Sequence, residues 1–426
     1  MAIKNILILC GFIVLSYLFF GQAQDNGFWH GDDFISLQHS LMMIDGTADA
    51  FSSQPPFKFQ PLAYLVYFVL FKVFLFNAKG YFVFNIILHG INSFLVYMLV
   101  QTVLKDRTVA LLSGLLFVFT VGSYGKAIMI ASGLEDLLIT ALTLLTMLCY
   151  FKNELDMGGK TLGSCYILTL LLFITSMFTR STSLAILGAF LAFNFFFKND
   201  TGKRVLNVNF VLLLVVAVTA LIIKAQVFGC RPALYTTYPG IFKFIFWTFK
   251  NVINYLVRMV FPIHTSHLVA QAGPAVRFVY RFATEIRIII ALTIVSYSFF
   301  GFIFGNRPIR FFIAWTYIIV IPFSFFQFPH DWLNIRHLYL VSVGFVVVIS
   351  GGAVFCSRLI ANQRIRRFVP MLVPLIFIIL SRFIVSQLEK SYEYKAASPA
   401  AIEMKENLSR RFEKVTLENG ELVYTK

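Results

Sequence analysis

Charged residues are scarce in this sequence. Only 13% of its 426 residues are Asp, Glu, Lys or Arg, whereas an average soluble domain has about 25%. So few charges cannot cover the surface of a water-soluble domain, and they cannot keep a chain disordered. The composition therefore excludes both of these classes.

Cysteine is rare as well. The chain has 5 cysteines; none of them forms a Cys-x-x-Cys pair, and four lie in apolar stretches. Their spacing therefore indicates neither a disulfide framework nor a zinc site. They are Cys10, Cys149, Cys165, Cys230 and Cys356.

Long apolar stretches are what the sequence has in abundance. Hydrophobic residues make up 58% of the chain, and a helix needs about 20 mostly apolar residues to cross a bilayer. Eleven windows meet or approach this length, so we predict an all-α polytopic membrane protein with about 11 transmembrane helices. The windows are 4–22, 82–104, 108–122, 134–151, 162–179, 182–197, 207–228, 286–305, 309–327, 337–357 and 368–386.

The basic residues predict how these helices are oriented. The net charge is +16, and Lys and Arg recur in the short loops that fall on one side of the membrane. The positive-inside rule makes that side the cytoplasm, which explains the charge without nucleic acid as a partner. The first window also fits a cleaved signal peptide, an alternative that leaves residue 25 onward outside. We expect residues 1–388 to form the transmembrane domain and 389–426 a short hydrophilic external tail.

Two adjacent carboxylates, Asp32 and Asp33, follow the first window. Placing a carboxylate beside a membrane costs desolvation free energy unless the group is solvated, paired with a cation or engaged in function. The structural interpretation is that one of them caps a helix beginning near Phe34. The functional interpretation is a general base, or a metal ligand, in a cavity at the membrane surface.

A second acidic pair, Glu135 and Asp136, lies at the outer end of the fourth window. Carboxylates in a first helical turn complement the helix dipole, which is again a structural interpretation. Because both pairs lie on the same predicted side and each at a helix end, we expect them to line one shared cavity.

Several cations on the outer side run against the positive-inside trend. Lys243, Lys250 and Asn254 fall close together on the helical wheel of residues 241–263, and apolar residues fill most of the rest. This pattern is typical of a helix that lies in the membrane interface. Such a helix binds lipid headgroups in general, or it holds one anionic lipid phosphate.

The connection between the ninth and tenth windows carries Arg336, with Tyr339 following it. An Arg at this depth either extends its side chain to the interface or grips a phosphate with two hydrogen bonds. Both interpretations stay open at the level of sequence.

A metal site is a further alternative. His264 and His267 are spaced to share a helix face, and His30 and His39 flank the first acidic pair. A third ligand at diagnostic spacing is missing. We therefore assign no metal ligand and no cofactor, and a divalent metal stays open.

Taken in order, these segments resemble the GT-C superfamily of lipid-dependent glycosyltransferases. The closest likeness is to the transmembrane and tetratricopeptide-repeat O-mannosyltransferases and their bacterial relatives. It covers roughly residues 1–390 and rests on the order, spacing and shared side of five segments. They are Gly31-Asp32-Asp33-Phe34, Phe59-Gln60-Pro61-Leu62, the pattern of Tyr81, Asn85 and His89, the stretch Ser132-Gly133-Leu134-Glu135-Asp136, and the stretch Asn334-Ile335-Arg336-His337-Leu338-Tyr339.

The resemblance implies roles for the acidic residues. The catalytic acid of the first external loop falls on Asp33 or Asp32. The second acidic site of the family falls on Asp136, with Glu135 where relatives often carry a basic residue.

Three departures from the family stand out. Gln60 replaces the Arg that usually precedes Pro-Leu, which puts a substrate contact there in doubt. Thr179-Arg180-Ser181 stands where relatives tend to have Lys-Glu. The repeats that follow the membrane part in eukaryotic members are missing from this sequence.

The resemblance implies an inverting glycosyltransferase that uses a polyprenyl-phosphate sugar donor at the non-cytoplasmic face. Asp33 or Asp32 would act as general base. Arg336, supported by Lys243 or Lys250, would stabilise the departing lipid phosphate, and Tyr339 is assigned to the same phosphate-binding set. We expect a protein or glycan acceptor, membrane lipid as surroundings, and a bacterial inner membrane as location.

Two other functions stay open. A ligase or polymerase of lipid-linked glycans would depend on external Arg and His residues more than on Asp32 and Asp33. A transporter would place ionisable residues near the bilayer midplane, often in broken helices. The candidate charges here cluster at predicted helix ends, with Lys224 and His89 as partial exceptions.

Overall fold

A computed structural model describes most of the chain. It covers residues 2–25, 27–28, 31–52, 59–120, 125–155, 163–198, 206–226, 241–260, 281–324, 338–396, 415–418 and 421–424. Within these ranges the chain is almost entirely helical. The helices are α1 (Ala2–Phe20), α2 (Gly31–Ile44), α3 (Pro61–Phe74), α4 (Ala78–Leu104), α5 (Arg107–Phe119), α6 (Gly125–Met129), α7 (Leu134–Leu155), α8 (Ser164–Thr179), α9 (Ala185–Lys198), α10 (Val208–Gln226), α11 (Ile241–Val260), α12 (Ala283–Phe304), α13 (Arg307–Ser324), α14 (Leu338–Arg358) and α15 (Gln363–Ala396).

Two short strands follow the helices. β1 (Val415–Glu418) and β2 (Glu421–Tyr424) pair antiparallel, with Val415 opposite Tyr424. They lie in the predicted external tail, whose separate character stays a prediction. The last long helix, α15, runs across the expected boundary at residue 388.

Each of the eleven apolar windows corresponds to one helix, and the predicted all-α polytopic membrane fold is confirmed. In the part of the chain that the structure describes, six segments are long and apolar enough to cross a membrane. Helices α3, α5, α8 and α9 are apolar but shorter. The six are Ile3–Asp25, Ala78–Leu104, Ala131–Leu155, Val208–Gln226, Thr284–Phe304 and Leu338–Arg358.

Helices α4, α7 and α14 form the inside of the bundle. Helix α4 packs against α1, α5 and α7, and α14 packs against α5, α13 and α15. Their facing side chains, such as Val96, Leu144 and Val346, are fully buried. Outer helices instead leave large apolar side chains exposed, among them Leu292 and Phe300 on α12. So much exposed apolar surface suits contact with lipid tails and would be a liability in water.

Ion pairs join helix ends at one end of the bundle. Lys198 at the end of α9 pairs with Glu154 at the end of α7, and Asn209 near the start of α10 donates a 2.6 Å hydrogen bond to the same carboxylate. Arg358 at the end of α14 pairs with Asp106, which caps α5, at 2.6 Å. These helix ends flank the predicted basic loops, so we call this the basic-loop end. The opposite end, which carries both acidic pairs, is the acidic end.

Replacing Lys198 by Met should destabilise the protein by about 3 kcal/mol or more, because the buried Glu154 carboxylate loses its cation. The double variant Glu154→Gln/Lys198→Met should recover most of this loss, since a neutral amide oxygen still accepts the hydrogen bond from Asn209. Thermal unfolding of the purified protein in detergent measures both effects. Lys152→Gln, on the exposed face of α7, is the matched control; a loss equal to that of Lys198→Met would contradict the assignment.

Candidate active site at the acidic end

Asp33 lies in the first turn of α2 and reaches across the bundle. Only 1% of the residue is exposed, and its Oδ1 atom accepts a 2.7 Å hydrogen bond from the backbone amide of Ser132. Ser132 belongs to the 3-10 turn Ala131–Gly133, which leads directly into α7. The contact therefore fixes the start of α2 to the start of α7, which a role confined to capping α2 would not require. Asp32 beside it is half-buried.

The turn Ala131–Gly133 is held from several sides. Asn85 on α4 donates to the carbonyl oxygen of Ile130 at 3.0 Å, and Tyr67 on α3 donates to that of Ala131 at 2.7 Å. Gly133 permits the close packing, because a Cβ atom there would lie 1.8 Å from the carbonyl oxygen of Ala127. Helices α2, α3 and α4 thus all attach to one short segment.

Asp136 is the third residue of α7, which begins directly after this turn. It forms an ion pair with Arg180 at the end of α8. Both groups are largely shielded from solvent, with exposed side-chain fractions of 6% and 17%. Glu135 beside it is buried as well. Carboxylates in the first turn of α7 also benefit from the helix dipole.

A second cation, Lys224, lies at the same end. It is buried near the end of α10 and donates a hydrogen bond to the carbonyl oxygen of Met177, in the last turn of α8. Its ammonium group lies over the ring of Phe59 at 5.3 Å and near that of Phe178 at 5.9 Å. A cation at a helix C-terminus complements the helix dipole there.

The structure therefore places Asp33 next to the segment that leads into the second acidic pair, and a cavity shared by both pairs stays a prediction. Asp33 bonds to the turn that begins the helix carrying Asp136. Arg180 and Lys224, which sequence reasoning did not include in the site, supply positive charge at this end. Both are lone cations at outer ends of apolar windows, so the same departure from the positive-inside trend that drew attention to Lys243 could have identified them.

Ser132 offers a further polar group at this turn. Its hydroxyl oxygen is buried and has no hydrogen-bond partner among the residues that the structure describes. The same residue donates its amide to Asp33. A buried polar atom beside a carboxylate is the kind of group that a substrate or a water molecule satisfies.

The predicted phosphate-binding lysines lie on the exposed first half of α11. The side chains of Lys243 and Lys250 are exposed, and the ammonium group of Lys250 lies 4.3 Å from the centroid of the Trp247 ring. The second half of α11 is largely buried and packs against α13. Its residue Asn251 donates a 3.0 Å hydrogen bond to the carbonyl oxygen of Ser324, at the end of α13. Contact between these lysines and a lipid phosphate stays a prediction. Arg336 lies outside the residues that the structure describes.

Tyr339 has a different setting from the predicted one. Its hydroxyl group is buried between helices, where it shares a 2.7 Å hydrogen bond with Nδ1 of His89 and accepts a 3.2 Å bond from Asn92. Asn92 also donates to the carbonyl oxygen of Leu137 at 2.9 Å. This position suits a residue that ties α14 to α4 and α7, so we no longer assign Tyr339 to direct phosphate binding.

The metal alternative gains no support from the part of the chain that is described. Within it, no group of three or more His, Cys, Asp or Glu residues could hold a metal ion. His39 is stacked on Tyr64 with ring centroids 3.7 Å apart. Burial lowers the pKa of His39 to about 4, although Asp49 acts in the opposite direction. His30, His264 and His267 lie outside the described ranges.

Two solved structures resemble this architecture. ArnT from Cupriavidus metallidurans, bound to undecaprenyl phosphate, matches 97% of this chain and 81% of its own, with a TM-score of 0.52 and 12% sequence identity. The chain has a GT-C fold. The archaeal oligosaccharyltransferase AglB from Archaeoglobus fulgidus, in complex with an inhibitory peptide and a dolichol-phosphate, matches 91% of this chain, with a TM-score of 0.51 and 13% identity. The match spans 56% of AglB, a little over half its length. No family model and no curated protein matches the sequence.

The buried network around Tyr339 generates a prediction about stability. Tyr339→Phe should lower the free energy of unfolding by about 1–3 kcal/mol, because His89 and Asn92 each lose one of their hydrogen bonds in a buried site. Thermal unfolding in detergent measures this loss. The matched control is Tyr317→Phe, because the hydroxyl group of Tyr317 makes no hydrogen bond within the described part of the chain. Equal stability of the two variants would contradict the structural role of Tyr339.

Proposed function

We propose that this protein transfers a sugar from a polyprenyl phosphate to an acceptor hydroxyl group at the acidic end. The observation that carries the proposal is the buried Asp33 carboxylate, bonded to the turn that also positions the ion pair of Asp136 and Arg180. The fold adds support, because the ArnT and AglB structures compared above each contain a polyprenyl phosphate, undecaprenyl phosphate in one and dolichol-phosphate in the other.

Asp33 is the general base of the proposed reaction. It takes the proton of the acceptor hydroxyl group while the acceptor oxygen bonds to the anomeric carbon. The bond from that carbon to the phosphate oxygen breaks, and the polyprenyl phosphate leaves with the electron pair. A single displacement of this kind inverts the configuration of the sugar carbon. Asp32, half-buried beside Asp33, is the second candidate for the base.

The leaving phosphate needs positive charge, because its own negative charge grows as the bond to the sugar breaks. Arg336 remains the first candidate from sequence, with Lys243 and Lys250 in support. Among the residues that the structure describes, Arg180 and Lys224 add positive charge at the acidic end. We assign Arg180 the role of a positioning residue, since its guanidinium is engaged by Asp136.

The protein or glycan that accepts the sugar belongs to the same proposal. AglB was solved with an inhibitory peptide, which is compatible with a peptide acceptor, although the low identity leaves the choice to experiment. The positive-inside pattern of the sequence predicts that the acidic end lies on the non-cytoplasmic face. We therefore propose a bacterial inner-membrane enzyme whose active site faces outward.

A transporter fits the described charges less well. Asp33, Asp136, Arg180 and Lys224 all lie at helix ends rather than in the middle of spans. His89 lies inside α4, but its ring is bonded to Tyr339 and to the carbonyl oxygen of Val118 at 3.3 Å. A structural role accounts for this histidine.

Asp33→Asn should lower the rate of sugar transfer by about a hundredfold or more, because an amide cannot take the acceptor proton. The substitution is isosteric, so its oxygen can keep the bond to the Ser132 amide. The measurement is transfer from a polyprenyl-phosphate sugar by the purified protein. Asp25→Asn, an exposed carboxylate at the end of the first span, is the control and should keep full activity. Full activity of both Asp33→Asn and Asp32→Asn would exclude the proposed base.

Arg180→Gln should lower kcat/KM by about tenfold or more, because the buried Asp136 carboxylate loses its cation and the first turn of α7 shifts. Arg180→Lys keeps the charge and should retain part of the activity. In the double variant Asp136→Asn/Arg180→Gln the two losses should be much less than additive, as expected of residues that act as a pair. Fully additive losses would show that Arg180 acts independently of Asp136.

A further inference from the structure

A cavity of about 870 Å³ lies between α5, α14 and α15, at the basic-loop end. It is therefore at the opposite end of the bundle from Asp33. The volume falls within the range of about 300–1,000 Å³ that is usual for small-molecule sites. Nothing in the proposed transfer reaction uses this space.

The inside of the cavity is apolar and open toward lipid. Leu112 and Leu115 line it from α5, and Met371 lines it from α15. Met371 is 67% exposed, and its neighbours Phe368 and Leu375 are exposed as well. Because α15 presents this apolar face outward, the cavity can be entered from the hydrocarbon region of the membrane.

Cations line the same cavity. Arg358, Gln363 and Arg366 all contribute to the lining. Arg358 is paired with Asp106, whereas the guanidinium of Arg366 makes no ion pair among the residues that the structure describes. The two adjoining segments, 105–108 and 358–367, contain six Lys and Arg residues and one carboxylate.

We propose that this cavity binds one anionic phospholipid of the leaflet next to the basic loops. Its phosphate lies against Arg366 and Arg358, with Gln363 as a further donor, and an acyl chain occupies the space between Leu112, Leu115 and Met371. Basic pockets between transmembrane helices are known to hold anionic headgroups in this way. Arg366 is the anchor, because Arg358 already shares its charge with Asp106.

Charge and position together select this ligand. A zwitterionic lipid would fill the apolar space but would leave the excess positive charge at the mouth unbalanced. A soluble anion would meet the cations but would leave the apolar interior empty. An anionic phospholipid satisfies both parts at once, and it is present in the leaflet where the cavity opens. The site is independent of the proposed sugar transfer.

The test uses the purified full-length chain in detergent, titrated with dioleoyl-phosphatidylglycerol and, separately, with dioleoyl-phosphatidylcholine. The rise in melting temperature with lipid concentration gives a dissociation constant for each. Phosphatidylglycerol should bind the wild type more tightly. Arg366→Gln should weaken this binding by about fivefold, the effect expected of one cation at a membrane surface.

Two further variants separate this site from general electrostatic attraction. Arg364→Gln removes an equal charge from the exposed surface of α15 nearby and should leave binding unchanged, since Arg364 does not line the cavity. Leu115→Trp narrows the apolar part of the cavity without changing any charge and should weaken the binding of phosphatidylglycerol. Equal binding of both lipids to the wild type, or equal weakening by Arg366→Gln and Arg364→Gln, would overturn the proposal.

Discussion

The hydrogen bond between the Asp33 carboxylate and the Ser132 amide is the interaction on which the candidate site depends. It joins residues far apart in the chain and fixes the start of α2 against the start of α7. The first acidic pair thereby lies near the second, because Glu135 and Asp136 are in the first turn of α7. Charge-assisted hydrogen bonds of this kind are about twice as strong as neutral ones. In a buried setting they hold a carboxylate in one orientation, as a general base requires.

Polar side chains inside the bundle extend this constraint. Asn85, His89 and Asn92 follow one another on a single face of α4. Asn85 bonds to the turn before α7, and His89 bonds to Tyr339 on α14. Asn92 bonds to Tyr339 and also to the first turn of α7. Buried polar groups are costly unless they are bonded, so this stripe specifies how α4, α7 and α14 meet. The acidic end is thus built on rigid helices as well as on connecting segments.

The two ends of the bundle use charge in different ways. At the basic-loop end, Glu154, Lys198 and Asn209 tie three helices together, and Arg358 and Arg366 line a cavity open to lipid. At the acidic end, Arg180 is paired with Asp136, and the buried Lys224 is bonded to the last turn of α8. The same residue types therefore anchor the protein at one end and shape a candidate reaction site at the other.

Much of the fold could be predicted from the sequence, because the length and hydropathy of a segment are enough to identify a transmembrane helix. The position of Asp33 near the start of the helix that carries Asp136 was also predictable, from their shared side and their positions at helix ends. Partners were harder to predict. Arg180 was noted only as a departure from a family motif, and Tyr339 was assigned to phosphate binding although it lies in the interior. Their contacts could not be read from the sequence, because hydropathy places a residue at a depth in the membrane but does not tell which neighbouring helix it faces.

The central claim is that the acidic end receives the phosphate of a lipid-linked sugar. The most direct measurement is a structure of the protein with a bound polyprenyl phosphate. The account predicts the phosphate at the acidic end, close to both acidic pairs and to at least one of Arg336, Arg180 and Lys224, with Asp33 facing the position of the sugar. A phosphate bound only at the basic-loop end, or an Asp33 carboxylate turned into bulk solvent, would contradict it.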